Sequence, residues 1–170
     1  NGDTEGDLSD IYSERIIKGP TNITFEAHSD LPEDLPNLLP PSSREVRIAV
    51  NSKVMKLSWR LITICIRLQR DAKVPVRFSF FPGERLVFMD GLDAAIRTHL
   101  PTANVVPYIG YEKFLTEMCK CDFALAAFPF GNTNSTVDTA LLGIPTVAHF
   151  GPESPAQSDR QMLSNAGLAD

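Results

Sequence analysis

The sequence predicts an α/β fold, a Rossmann-like parallel sheet with helices on both faces. From Glu45 onward, short apolar runs typical of strands alternate with segments of helical spacing. The stretch from Asp122 to Gly151 reads in succession as strand, polar turn, helix and strand. A hydrophobic content of 43% with 22% charged residues is typical of a globular domain that buries a core. At 170 residues the chain has the length of one domain, or of one domain and a tail.

The predicted strands are short runs rich in β-branched and aromatic residues. They are Val46–Val50, Val76–Phe81, Val105–Tyr108, Phe123–Phe128 and Pro145–Phe150. The predicted helices are Leu57–Arg70, Gly91–Leu100, Tyr111–Cys119, Ser135–Leu142 and Ser158–Ala166. The inward side chains of the first and third helices are Leu57, Leu61, Ile64, Cys65 and Leu68, then Phe114, Leu115 and Met118.

Residues 1–44 differ in composition from the rest of the chain. They hold nine of the 21 acidic residues, only three of the 16 basic residues, and five prolines. We interpret 1–44 as an acidic, proline-rich linker or arm, with possible short strands at Ile16-Ile17 and Ile23–Phe25. The predicted Rossmann-like domain occupies 45–170. Because the chain lacks an initiator Met and ends in a helix where another strand is expected, we expect it to be a fragment of a longer protein.

Several classes of protein are disfavoured by charge and hydropathy. A net charge of −5 argues against nucleic acid as a partner. No apolar run reaches the roughly 18 residues of a membrane span, and the first ten residues are too acidic and polar for a secretory signal. The three cysteines are an odd number, and Cys119 and Cys121 are too close together to pair easily. These features predict a cytoplasmic protein.

The candidate site is the polar turn after the fourth predicted strand. Gly131, Asn132, Thr133, Asn134 and Ser135 follow that strand and precede a helix. Backbone N–H groups and hydroxyls at a helix N-terminus suit a diphosphate. The alternative is an ordinary helix cap, since Asn, Thr and Ser are the preferred cap residues.

Two charged residues complete this predicted site. Asp138 lies about one turn into the helix, where it can accept hydrogen bonds from ribose hydroxyls. Its alternative role is a first-turn acid favoured by the helix dipole. Lys56 ends the loop after the first strand, from which its ammonium can neutralise a leaving diphosphate; the alternative is a solvated surface lysine.

Other strand-end residues are weaker candidates. Tyr108 follows the third strand and is suited to stacking on a base or to phosphate binding, with core packing as the alternative. Glu84 and His149 also follow strands, although a solvated acid and a structural histidine are the commoner cases. Cys119 and Cys121 lack a second ligand pair at zinc spacing, so no metal site is predicted. The phosphate-loop, dinucleotide and nucleophile-elbow motifs are absent from the sequence.

The string from Phe128 to Asn134, Phe-Pro-Phe-Gly-Asn-Thr-Asn, resembles the donor-site motif of the bacterial cytoplasmic N-glycosyltransferases that modify adhesins. Those enzymes are relatives of the O-linked GlcNAc transferase. The similarity extends to Asp138 and Gly143, and to the Val-Met-Lys-Leu string that ends at Leu57. It covers roughly residues 45–168.

This resemblance implies the C-terminal, donor-binding lobe of a GT-B glycosyltransferase. It implies a UDP-hexose as donor, a protein side chain as acceptor, and inverting transfer without a metal or other cofactor. The residues that match the family's donor contacts are Lys56, Asn134 and Asp138, with the Thr133–Ser135 turn beneath the diphosphate.

The chain also departs from the family pattern. Tyr108 stands where the family often has a histidine, and Glu84 stands where it often has a glutamine. The resemblance implies that the acceptor site and the general base belong to an N-terminal lobe outside this sequence. Two alternatives stay open: a non-catalytic nucleotide-sugar-binding module, and a protein-interaction module on a Rossmann-like scaffold.

Overall fold

The computed structural model describes residues 13–15, 28, 30–38, 45–85, 87, 89–149, 151 and 154–168. The short strands predicted at Ile16-Ile17 and Ile23–Phe25 lie outside these residues. The end of the arm packs on the domain: Leu31 contacts the core, and the Cys119 thiol donates to the Pro36 carbonyl oxygen at 3.2 Å.

Within the described residues, five strands form one sheet in the order β3-β2-β1-β4-β5, and every neighbouring pair is parallel. The strands are β1 (Val46–Val50), β2 (Val76–Phe80), β3 (Asn104–Val105), β4 (Phe123–Leu125) and β5 (Thr146–Val147). The predicted parallel sheet is therefore confirmed, although four strands end earlier than predicted. The third ends early because the Tyr108 N–H turns away to donate to the Glu84 carbonyl oxygen at 2.8 Å.

The α-helices in the described part of the chain are α1 (Trp59–Asp71), α2 (Met89–His99), α3 (Tyr111–Met118), α4 (Asn134–Leu141) and α5 (Ser154–Asn165). A 3₁₀ turn, Val54–Lys56, precedes α1. Helix α1 begins two residues later than predicted because Ser58 is its N-cap, with its hydroxyl accepting from the Leu61 N–H at 3.3 Å.

Helices cover both faces of the sheet, as predicted. Alternate residues of β1 belong to two core clusters on opposite faces of the sheet. Val50 packs in the first cluster and Ala49 in the second, and both are 0% exposed. The first cluster includes Leu61 of α1 and Ile96 of α2, and the second includes Leu115 of α3. The fold class predicted from the sequence is confirmed.

The predicted inward face of α1 is partly wrong. Leu61 and Cys65 are buried as predicted, but Ile64 and Leu68 are 37% and 40% exposed. Ile62 is buried instead, at 6% exposure. The helix carries more apolar residues than one face can bury, so periodicity alone did not identify those that contact the sheet. The inward positions predicted for α3 are confirmed, since Leu115 and Met118 are fully buried and Phe114 packs on the same cluster.

Candidate functional site

The loops that follow the parallel strands meet at one edge of the sheet and surround a cleft of about 330 Å³. Ligands of open parallel α/β sheets bind at this carboxyl edge. The cleft is lined by residues of the loops after β1, β2 and β3 and of helices α3 and α4. Among them are Asn51, Lys53, Phe81, Tyr108, Tyr111, Ser135 and Asp138. Of the predicted site residues, Tyr108, Ser135 and Asp138 line the cleft, whereas Lys56 and residues 131–134 do not.

The polar turn has an unusual backbone. Gly131 has a φ of +56°, a left-handed conformation that glycine adopts without steric cost. Thr133 has a φ of +49°, which is uncommon for a residue with a branched Cβ. Such a conformation persists only where surrounding contacts hold it.

The Asp159 carboxylate of α5 supplies those contacts. It is 1% exposed and accepts hydrogen bonds from the Asn132 N–H at 2.7 Å and the Thr133 N–H at 2.6 Å. Next to it, the Ser158 and Thr133 hydroxyls lie 3.0 Å apart. An anion of the protein itself thus occupies two of the amides that the sequence analysis assigned to a diphosphate.

The side chain of Asn132 is also engaged within the protein. Its Oδ1 atom accepts from the Ser52 hydroxyl at 2.7 Å and from the Ala127 N–H at 3.4 Å. These bonds tie the turn to the loop after β1. The side chain of Asn132 and the backbone N–H groups of Asn132 and Thr133, which were predicted to bind the ligand, therefore stabilise the turn instead.

Lys56 reaches the turn across 75 residues of sequence. Its Nζ atom donates to the Gly131 carbonyl oxygen at 2.6 Å. The residue is half-buried, so it is not the freely solvated surface lysine of the alternative interpretation. An ammonium has three N–H donors, and the bond to Gly131 uses one of them.

Helix α4 begins directly after the turn, with Asn134 as its first residue. Asn134 is exposed, and the half-buried Ser135 lines the cleft. The partial positive charge of a helix N-terminus is favourable for anions. The turn therefore joins two of the predicted groups, because Lys56 is bonded to Gly131 and α4 begins at Asn134 three residues later.

Asp138 lies on the cleft side of α4 and is half-buried. Its Oδ1 atom accepts a hydrogen bond from the Tyr111 hydroxyl at 2.7 Å. Burial raises the pKa of Asp138 and outweighs the opposing effects of the Tyr111 hydrogen bond and the nearby His28. The carboxylate therefore faces the cleft and the side chain of α3. Tyr111 was predicted only as the start of a helix, and nothing in the sequence indicated its contact with Asp138.

Tyr108 lines the cleft and is 64% exposed, which excludes the core-packing alternative. Glu84 approaches it through the backbone bond between its carbonyl oxygen and the Tyr108 N–H. His149 is exposed and packs edge-on against Phe128, with ring centroids 5.7 Å apart. It is not among the residues that line the cleft.

Asn51 is a further cleft residue that the sequence analysis did not single out. It directly follows β1 and is 8% exposed, and its Nδ2 atom has no hydrogen-bond partner among the described residues. A buried donor without a partner costs about 1–3 kcal/mol. A ligand that offers an acceptor in the cleft would remove that cost.

Within the described part of the chain, no group of three or more His, Cys, Asp or Glu residues is arranged to hold a metal ion. The three cysteines are free and buried, and burial raises the pKa of Cys65 to about 12 and that of Cys121 to about 11. They are therefore poor metal ligands and nucleophiles. No described helix combines the length and the apolar character needed to cross a bilayer.

Comparison with known proteins gives sequence and structural relatives. The chain is 28% identical over 164 residues to the UDP-glucose:protein N-beta-glucosyltransferase of Actinobacillus pleuropneumoniae serotype 5b (strain L20), which covers 95% of the chain and 26% of that protein. The protein of the same name from serotype 7 (strain AP76) is 28% identical over 162 residues, covering 94% of the chain and 26% of the relative. A scan against protein-family models finds no match.

Among solved structures, a mutant O-GlcNAc transferase of Thermobaculum terrenum superposes with a TM-score of 0.63 at 18% identity. The superposition covers 81% of this chain and 27% of that structure. The chain is thus related to the N-glycosyltransferases that resemble O-GlcNAc transferase, and it has the Rossmann-like fold of a glycosyltransferase lobe. It spans about a quarter of the length of the curated relatives that it matches.

Proposed function

We propose that this chain is the donor-binding lobe of a UDP-sugar-dependent protein glycosyltransferase that transfers a hexose to a protein side chain with inversion. The observation that carries the proposal is that Ser135 and Asp138 of α4 line the cleft, while Lys56 is bonded to Gly131 in the turn that leads directly into α4. Support comes from the relatives, whose name gives UDP-glucose as donor and protein as acceptor.

In this proposal the diphosphate lies between Lys56 and the first turn of α4. Lys56 is held against the turn by its bond to the Gly131 carbonyl oxygen, which leaves two N–H donors for phosphate oxygens. Asn134 and Ser135 present polar groups and the positive end of the helix from the other side. Asn132 and Thr133 contribute by shaping the turn, because Asp159 already engages their amides.

The nucleoside lies deeper along the cleft in this proposal. Asp138 accepts hydrogen bonds from the ribose hydroxyls, because a carboxylate has about four acceptor positions and Tyr111 uses one of them. The exposed ring of Tyr108 offers a face on which a planar base can stack. Asn51 offers its buried amide to an acceptor atom of the ligand.

The chemical role of these groups is to stabilise the leaving group. As the bond from the sugar to the diphosphate breaks, negative charge grows on the diphosphate oxygens. Lys56 and the N-terminus of α4 lie where they can balance that charge without reorganising, and this is the contribution of this lobe to catalysis. Activation of the acceptor belongs to groups outside the described cleft.

We also propose that the reaction takes place in the cytoplasm, because all three cysteines are free thiols.

The positive groups described above also predict that binding needs no metal. UDP-glucose titrated calorimetrically into the chain in EDTA should bind as tightly as in magnesium or manganese. UDP should compete, and free glucose should not. A strict requirement for a divalent cation would contradict the role given to Lys56 and α4, whereas a chain that binds no UDP ligand under any condition would favour an interaction module.

A further inference from the structure

Tyr111 joins two helices across the cleft at the point where we place the donor ribose. It is the first residue of α3, and its hydroxyl donates to the Asp138 Oδ1 atom of α4 at 2.7 Å. Both residues line the cleft. We propose that Tyr111 is a positioning residue that orients the Asp138 carboxylate toward the ribose hydroxyl pair of the donor. This inference rests on the proposed function.

The ring of Tyr111 is held in place by its neighbours. His28 stacks on it with ring centroids 4.5 Å apart and an interplanar angle of 30°. Phe114 stacks at 6.1 Å and packs edge-on against Phe81 at 5.5 Å. Because these contacts fix the ring plane, the direction in which the hydroxyl meets Asp138 is fixed as well.

The hydrogen bond in turn fixes the carboxylate. Asp138 is the fifth residue of the short helix α4, where its side chain would otherwise be free to change rotamer beside the cleft. With Oδ1 bound to Tyr111, rotation about the last side-chain bond is restricted. Oδ2 and the remaining lone pair of Oδ1 then stay available to two neighbouring hydroxyl groups.

The same bond also affects ionisation of the site. Burial raises the pKa of Asp138, whereas the Tyr111 hydrogen bond and the nearby His28 lower it. The other charged residues that line the cleft are Asp30 and Lys53. Since an ionised carboxylate accepts both ribose hydroxyls and a protonated one loses acceptor capacity, removal of the Tyr111 hydroxyl should raise the pH below which the ribose contact fails.

The test compares UDP with 2′,3′-dideoxyuridine diphosphate on the parent chain and on Tyr111→Phe. The ratio of the two affinities isolates the hydroxyl pair, because phosphate and base titrate equally in both ligands. In Tyr111→Phe the ring and its stacking remain, and we expect the ratio to fall about tenfold, the typical effect of one hydrogen bond to a charged group. We also expect the pH at which the ratio declines to move upward.

Thr116→Val is the control, because it removes an exposed hydroxyl from the same helix outside the cleft and should leave the ratio unchanged. A Tyr111→Phe chain with a lower melting temperature but the parent's ratio and pH profile would overturn the inference and leave Tyr111 a packing residue. Absence of UDP binding to the parent chain would instead contradict the proposed function.

A second measurement avoids dependence on folding of the phenylalanine variant. Fluorotyrosine, whose hydroxyl is the stronger donor, is incorporated at position 111 alone, with Tyr108 unchanged. The inference predicts that the decline of the ratio moves to lower pH, because a stronger hydrogen bond lowers the pKa of Asp138 further. An unmoved profile would overturn it.

Discussion

The Asp138 carboxylate is half-buried on the cleft side of α4, and burial raises its pKa. A carboxyl group whose pKa is raised in the folded state opposes folding when it is ionised, and this cost disappears as the pH falls through the folded-state pKa. Asp138 is therefore unlike a first-turn acid that stabilises its helix. A carboxylate with a raised pKa beside a cleft is a candidate binding residue.

Asp138→Asn tests the role of that residue. The substitution keeps the size of the side chain and an oxygen that can accept from the Tyr111 hydroxyl. It removes the negative charge and the second carboxylate oxygen, which we assign to the ribose hydroxyls. We expect UDP affinity measured by calorimetry to fall by about 1.5–3 kcal/mol. The melting temperature without ligand should stay close to the parent's, because the substitution also removes a partly buried charge, and the stabilisation by added UDP should shrink.

Asp71→Asn is the control, since it makes the same chemical change on an exposed residue at the end of α1, at the opposite edge of the sheet. It should leave UDP affinity unchanged. If Asp138→Asn instead unfolded the chain at ordinary temperature and bound UDP normally once folded, Asp138 would be a structural residue of α4.

At the scale of elements, the turn before α4 depends on a helix that follows it in sequence. Asp159 of α5 lies 27 residues beyond Asn132, yet its two short hydrogen bonds hold the positive φ of Thr133. The Gly131 carbonyl oxygen that anchors Lys56 belongs to the same turn. The position of α5 therefore determines the geometry of the turn to which we assign the diphosphate.

Asp159→Asn should weaken both stability and binding. The amide can accept one of the two backbone N–H groups but carries no charge, so we expect the free energy of unfolding in urea to fall by about 2–3 kcal/mol. UDP affinity should also fall, because a relaxed turn no longer holds Lys56 in place. An unfolding free energy equal to that of the parent, with Asp71→Asn as control, would show that the turn holds its conformation without Asp159.

At the scale of the whole molecule, the sequence predicted the architecture well because hydrophobic periodicity is a local property. The alternation of strands and helices between Val46 and Asn165 was predicted from hydrophobic periodicity. A parallel sheet brings the loops at the carboxyl ends of its strands to one edge by topology alone. Lys56 and Asp138 could therefore be assigned to the same edge of the sheet before any contact was known.

Contacts between distant side chains could not be predicted in this way. The Tyr111–Asp138 and Asp159–Thr133 bonds join residues 27 and 26 positions apart, and they depend on how three helices dock against the sheet. A Gly-Asn-Thr-Asn turn offers the same amides whether a ligand or a carboxylate of the protein fills them. The sequence therefore indicated an anion-binding turn without revealing that Asp159 occupies part of it.

The central claim is that the cleft at the carboxyl edge binds UDP with Lys56 on the diphosphate, and one comparison tests it most directly. UDP and uridine are titrated calorimetrically into the parent chain, Lys56→Ala and Lys73→Ala, where Lys73 is an exposed lysine before β2 at the opposite edge of the sheet. We predict that Lys56→Ala weakens UDP by about 1.5–3 kcal/mol, the typical value of a charge-assisted hydrogen bond, with little effect on uridine. Lys73→Ala should change neither. Equal losses for UDP and uridine in Lys56→Ala, or no UDP binding by the parent chain, would contradict the account.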